Sequence, residues 1–261
     1  MKTLMIGECN YRNLYELNDP TEATEVEFEA DVVRALSCLF PQYMCVVYGG
    51  AFLLEGRVSC PDLALIARDY SHWFVIEVEL VSHSLEGHVL PQVRAFRYGE
   101  PQSDSVRILA RELAITEDRA ATLLHYVPRS VAVVANKRDP AWGIALNALN
   151  VQLLSVSTYG GASGVRAYEI EGDLHVTKEN LGFGVYSETD RSVRLASTAR
   201  IPLGRIQLHD PEGAPSWWEA SNDGKHVWLT KERGVLDVPH DSVVQLMRTV
   251  DGKILLCRPM F

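Results

Sequence analysis

The segment from Pro61 to Leu80 constrains this chain more than any other. PDLALI and FVIEVEL are rich in Leu, Ile, Val and Phe and are joined by the polar connection RDYSHW. Apolar runs of this composition predict buried strands, and a short polar link between them predicts a hairpin. Side chains alternate across a strand, so Glu77 and Glu79 point to one face, and Asp62 at the head of the partner strand can face them. Phe74, Ile76, Val78 and Leu80 surround the two acids, which argues against a solvent surface. Like charges gathered on buried strands cost free energy unless a cation neutralises them, so a metal explains the cluster better than packing does.

The rest of the chain has room for a full core. Its 261 residues, 47% hydrophobic and 23% charged, fit one large domain or a medium domain with a small partner. MKTLMIGECN meets Glu8 before an apolar run develops, and no later stretch is suited to a bilayer, so a cytoplasmic protein is expected. The five cysteines, at 9, 38, 45, 60 and 257, contain no C-x-x-C and are expected to be reduced, buried small hydrophobes. A net charge of −9 does not suit a broad nucleic-acid-binding surface, although residues 191–261 carry 10 Lys and Arg against 8 Asp and Glu. A polyanion would have to meet a local basic patch.

Hydrophobic periodicity predicts a helix over 21–40, with Glu25, Phe28, Glu29, Val32, Val33, Leu36 and Leu39 on one stripe and Glu27 facing elsewhere. YMCVVYG reads as a strand before the hairpin. A second helix is expected from about Leu85 to Tyr98, starting near Pro91 or kinked there. SVRILARELAITEDRAATLLHYV reads as helical with a break near Ile115, SVAVVAN as a strand, PAWGIALNALN as a helix and VQLLSVSTY as a strand. The alternation predicts an α/β mixed sheet flanked by helices over residues 1–190. Beyond it, short strands with Asp-Gly turns at 223–224 and 251–252 predict a small, barrel-like β-rich module over 191–261.

A helix with an inward acid, a strand, a strand opening with Pro61-Asp62, and a strand carrying Glu77-Val78-Glu79 resemble, in that order, the PD-(D/E)xK nuclease superfamily. The resemblance covers about residues 22–160 and implies a restriction-endonuclease-like core. It implies that Asp62 and Glu77 ligate Mg²⁺ or Mn²⁺, with Glu29, or Glu25 one turn earlier, as the helix acid and the Val78 carbonyl as a further ligand. Glu79 stands where most members have lysine, and is read as a second-metal ligand or a proton acceptor. RecB-type members place Gln at the head of the next helix; Gln92 fits by distance, with Phe96 at the Tyr position, and Arg94 and Arg97 are expected to meet phosphates.

Other residues read less sharply. His83 and His88 flank the second helix and could touch a phosphate or ligate a metal, but lone histidines are more often structural. Trp217, Trp218 and Trp228 read as core of the β-module rather than base-stacking platforms. Ser82 and Ser84 lack a G-x-S-x-G elbow, and GGASG at 160–164 reads as a hairpin turn. The expectation is therefore a metal-dependent nuclease acting on DNA, with RNA as the other candidate substrate, and with the C-terminal module binding substrate, a partner or a second copy. The alternative is a non-cutting relative that serves as a nucleic-acid-binding or assembly subunit.

Overall fold

A computed structural model describes residues 2–6, 15–161, 164–211 and 213–258, and the chain divides into two compact units. The first comprises residues up to His125 and Arg129–His175; the second comprises Tyr126–Pro128 and the chain from Val176 onward. Both Cys9 and the centre of the GGASG turn lie outside the described residues. No helix among the described residues is long and apolar enough to cross a membrane.

The first unit is mixed α/β, with β1 (Lys2–Ile6), β2 (Tyr15–Leu17), α1 (Glu25–Leu39), β3 (Tyr43–Val47), β4 (Phe52–Leu54), β5 (Arg57–Ser59), β6 (Leu63–Ala67) and β7 (Trp73–Glu79) in its first half. A π turn, Leu85–Val89, then runs directly into α2 (Leu90–Tyr98). The unit continues with β8 (Glu100–Pro101), α3 (Ser105–Leu113), α4 (Glu117–Tyr126), β9 (Arg129–Ala135), α5 (Pro140–Ala148), β10 (Gln152–Gly161) and β11 (Arg166–Glu171). The main sheet has the order β1-β11-β10-β9-β7-β6-β3, with β2 also on β10. β3, β6 and β7 are antiparallel neighbours, whereas β9 is parallel to both β7 and β10. β6 and β7 are buried along their whole length, as expected of central strands covered on both faces.

Local chemistry explains several boundaries. Thr24 and Glu27 form a capping box that starts α1, an arrangement worth about 1 kcal/mol, and this is why Glu27 turns away from the stripe. Beside that stripe Asp31 is buried, and it accepts from Arg166 and from the Tyr168 hydroxyl at 3.0 Å, tying α1 to β11. The expected break near Ile115 falls at Ala114, which is left-handed at φ 52° between α3 and α4. Pro91 lies in the first turn of α2, and the π turn before it replaces the i→i−4 bonds that a proline would disrupt. A small sheet of order β5-β4-β8, with strands of two or three residues, has no counterpart in the sequence reading.

The second unit is a closed seven-stranded barrel. Its strands are β12 (Lys178–Ser187), β13 (Ser192–Ala196), β14 (Gly204–His209), β15 (Pro215–Asn222), β16 (His226–Lys231), β17 (Val243–Thr249) and β18 (Ile254–Cys257). They close in the order β12-β13-β16-β15-β14-β18-β17. The barrel thus takes in β12, which precedes the division expected at 190, and both Asp-Gly turns join adjacent antiparallel strands. Counted at the structural boundary, the first unit carries 14 Lys and Arg against 23 Asp and Glu, and the second 11 against 11. Trp218 is fully buried with Tyr186, Leu208 and Leu229, but Trp217 is 43% exposed, against the expectation of core. Strand alternation separates these neighbours, and Arg205 stacks on the outer one at 4.3 Å. The described cysteines are free thiols, yet Cys38 and Cys60 are exposed rather than buried, because each sits outside the apolar stripe of its segment.

Candidate metal centre

Three elements deliver the carboxylates. Asp62 stands just before β6, where its carbonyl accepts the Tyr48 N–H at 2.8 Å and its Oδ2 accepts the Val78 N–H of β7 at 2.7 Å. Leu63 pairs with Ile76, so the register brings Asp62 opposite Glu77, as the hairpin reading requires. Glu77 and Glu79, two apart on β7, are 3% and 1% exposed. Glu77 Oε2 is buried without a hydrogen-bond partner.

These acids act on one another electrostatically. Burial is the main reason the Asp62 carboxyl is pushed up to about 6; the Val78 N–H opposes the shift, while Glu29, Glu79 and Glu25 add to it. Burial, then Asp62, Glu79 and Glu25, hold Glu77 well above the carboxylate range. The strongest charged neighbours of Glu77 are therefore all acids. Among the helix acids, half-buried Glu29 acts most strongly on Asp62, and exposed Glu25 acts on Asp62, Glu77 and Glu79 alike. An unpartnered, buried carboxylate oxygen among like charges leaves a place for a cation, although the described residues that bring three donor atoms within 4.8 Å of one another are Glu79, His83 and His88 rather than Asp62, Glu77 and the helix acids.

Glu79 has different company. Its Oε2 lies 2.6 Å from His83 Nδ1, and its Oε1 lies 3.2 Å from His88 Nε2. Burial raises the Glu79 carboxyl, and the hydrogen bond from His83 and the charge of His88 partly offset that rise. His83 sits in a turn closed by its own N–H on the Leu80 carbonyl, and Ser84 caps the π turn through the Gly87 N–H. The two imidazoles end edge to face, with centroids 5.4 Å apart. One donor atom from each of Glu79, His83 and His88 lies within 4.8 Å of the others.

The remaining expected site residues lie on α2. Gln92 is half-buried in its first turn, and its Oε1 is buried without a hydrogen-bond partner. Arg94 is exposed, two residues on and so on the opposite side of the helix from Gln92. Arg97 stacks on Tyr98, with its guanidinium 5.5 Å from the ring centroid. Phe96 is buried against Phe52.

Asn136 was not singled out in the sequence. Its N–H reaches the Glu79 carbonyl at 3.2 Å, its Oδ1 accepts the Val81 N–H at 2.9 Å, and its Nδ2 donates to the Pro20 carbonyl at 2.7 Å. One buried amide thus fixes the end of β7 and the segment that leads into α1. The available signal was a polar residue directly ending the apolar run SVAVVA. No protein-family model matches this chain, and neither the curated proteins nor the solved structures contain a match to it.

Proposed function

We propose that the first unit is a metal-dependent nuclease that hydrolyses phosphodiester bonds in DNA. The observation that carries this reading is Glu77: a buried carboxylate with an unpartnered oxygen, acted on by Asp62, Glu79 and Glu25, with Glu29 acting in turn on Asp62. The path of the chain supports a restriction-endonuclease-like core, since α1 precedes the antiparallel set β3, β6 and β7, and helices then cross to the parallel β9. Asp62 and Glu77 would hold Mg²⁺ or Mn²⁺, with Glu29 or Glu25 reaching from α1. When bound, the ion supplies positive charge against the phosphate oxygens and makes water more acidic.

The chain's own groups do the rest. Asp62 is held in place by the Val78 N–H, and burial and the neighbouring acids raise the Glu77 carboxyl well above its ordinary value, which a bound cation would offset. Glu79 cannot bring the charge that a lysine would bring at its position. That charge has to come from groups beyond it, and His83 and His88 stand there. The partly exposed Arg97 and the exposed Arg94 are the cations of α2 that can meet a backbone phosphate.

The test incubates the purified chain with supercoiled, linear and single-stranded DNA and with RNA, in Mg²⁺, Mn²⁺ or EDTA, beside Asp62→Asn and Glu77→Gln. Metal-dependent cleavage that falls at least about a hundredfold in either variant is expected. Unchanged cleavage in both would sink the site assignment. Binding without cleavage in every condition would favour the assembly-subunit reading, which the acidic first unit and the missing lysine also suit.

A further inference from the structure

We propose that Glu79, His83 and His88 form a second metal position, selective for a borderline transition ion such as Zn²⁺ or Co²⁺, and that Glu79 bridges it to the all-oxygen position at Asp62 and Glu77. The proposal rests on the nuclease reading only for the existence of that neighbouring position. The donors themselves are on β7 and the π turn, and their geometry stands alone.

Three observations carry it. The ligand atoms already converge within 4.8 Å, and an ion bound at about 2.1 Å needs donors roughly 3–4 Å apart, so closure requires small rotations. The side chains that would rotate are the free ones: His83 and His88 are 31% and 50% exposed, while Glu79 is fixed on a buried strand. The backbone is also unusual at this point, because a π turn, a form concentrated at functional sites, sets the direction of His88. Two imidazoles and one carboxylate are a donor set for transition ions, whereas Mg²⁺ and Ca²⁺ favour oxygen. The ion would restore positive charge at the position where a carboxylate replaces lysine.

Glu77 gives the second metal a reason. Its unpartnered oxygen and acidic neighbours mark the first position as short of positive charge, and one divalent ion would leave Glu25, Glu29, Asp62, Glu77 and Glu79 only partly neutralised. A bridging carboxylate between two ions lets both share that charge. The two positions differ in hardness, so they are expected to take different metals from a mixture.

The experiment uses the full-length, untagged chain, stripped with EDTA and titrated with Co²⁺ while the visible d–d absorption is followed. A band that saturates at one Co²⁺ per chain and survives excess Mg²⁺ is expected. His83→Ala and His88→Ala should each weaken Co²⁺ at least about tenfold, while Asp62→Asn and Glu77→Gln keep the band. The histidines are partly exposed, and a far-ultraviolet dichroism spectrum matching that of the parent chain confirms that the variants fold. No band, a band unchanged in both histidine variants, or a band lost in Cys60→Ser, which would indicate thiolate capture, each overturns the proposal. Cleavage is not the readout, so a chain that binds Co²⁺ through the histidines but cuts nothing keeps this site and sinks the nuclease reading.

Discussion

Asp62→Asn is expected to stabilise the first unit when divalent ions are absent. Folding raises the Asp62 carboxyl from 3.8 to about 6. For an acid whose folded pKa lies above the unfolded value, the folded state holds the proton more tightly. Stability therefore falls as pH climbs from about 4 to about 6, and the full penalty persists above that. Two pKa units correspond to roughly 3 kcal/mol. Asparagine avoids this cost, and the charge-assisted hydrogen bond from the Val78 N–H that it gives up is already counted in the value of about 6, which it lowers. The gain is about 3 kcal/mol at about pH 8, which for a unit of this size raises Tm by about 6–12 °C. The gain shrinks as pH falls through about 4 and disappears below about pH 3, where the aspartate is protonated in both states. Thermal melts of both proteins in EDTA across this range measure the difference, and adding Mn²⁺ should then favour the parent chain alone. A variant that melts below the parent at about pH 8, or a gap that does not change with pH, would refute the reasoning.

Two further substitutions probe the frame around the site. Asn136→Ala leaves the Val81 N–H and the Pro20 carbonyl without their partner and is expected to cost about 2–3 kcal/mol in the melting of the first unit, with cleavage reduced further than stability alone explains. In the barrel, Trp218→Ala should cost about 3–5 kcal/mol and Trp217→Ala less than about 1 kcal/mol, read from the transition of the second unit; equal losses would contradict the inside–outside alternation of β15.

Much of the centre was legible in the sequence because its signals are local. FVIEVEL states its own alternation, Asp62 needs only hairpin register to meet Glu77, and the Asp-Gly pairs mark their own turns. The break between α3 and α4 was visible as a failure of period. The losses came where partners are distant or strands short: the pairing of β1 with β11, the β5-β4-β8 sheet, and the burial of Asp31 opposite Arg166 and Tyr168. β12 precedes the division expected at 190, and its pairing with both β13 and β17, the latter distant in sequence, identifies it as barrel. The approach of the histidines to Glu79 was not legible for a different reason. Their convergence on Glu79 depends on an i→i+5 turn, and a search at period 3.6 does not see residues brought together in that way.

The turn at Leu85–Val89 also has a meaning for inheritance. It holds one residue more than an α-helical turn, so losing a single codon there would let the α register run straight through and carry His88 about 100° around the helix. The strand with its acids would be untouched. A lineage could thus gain or lose the imidazole partners of Glu79 in one genetic step, without rebuilding the sheet that bears the carboxylates.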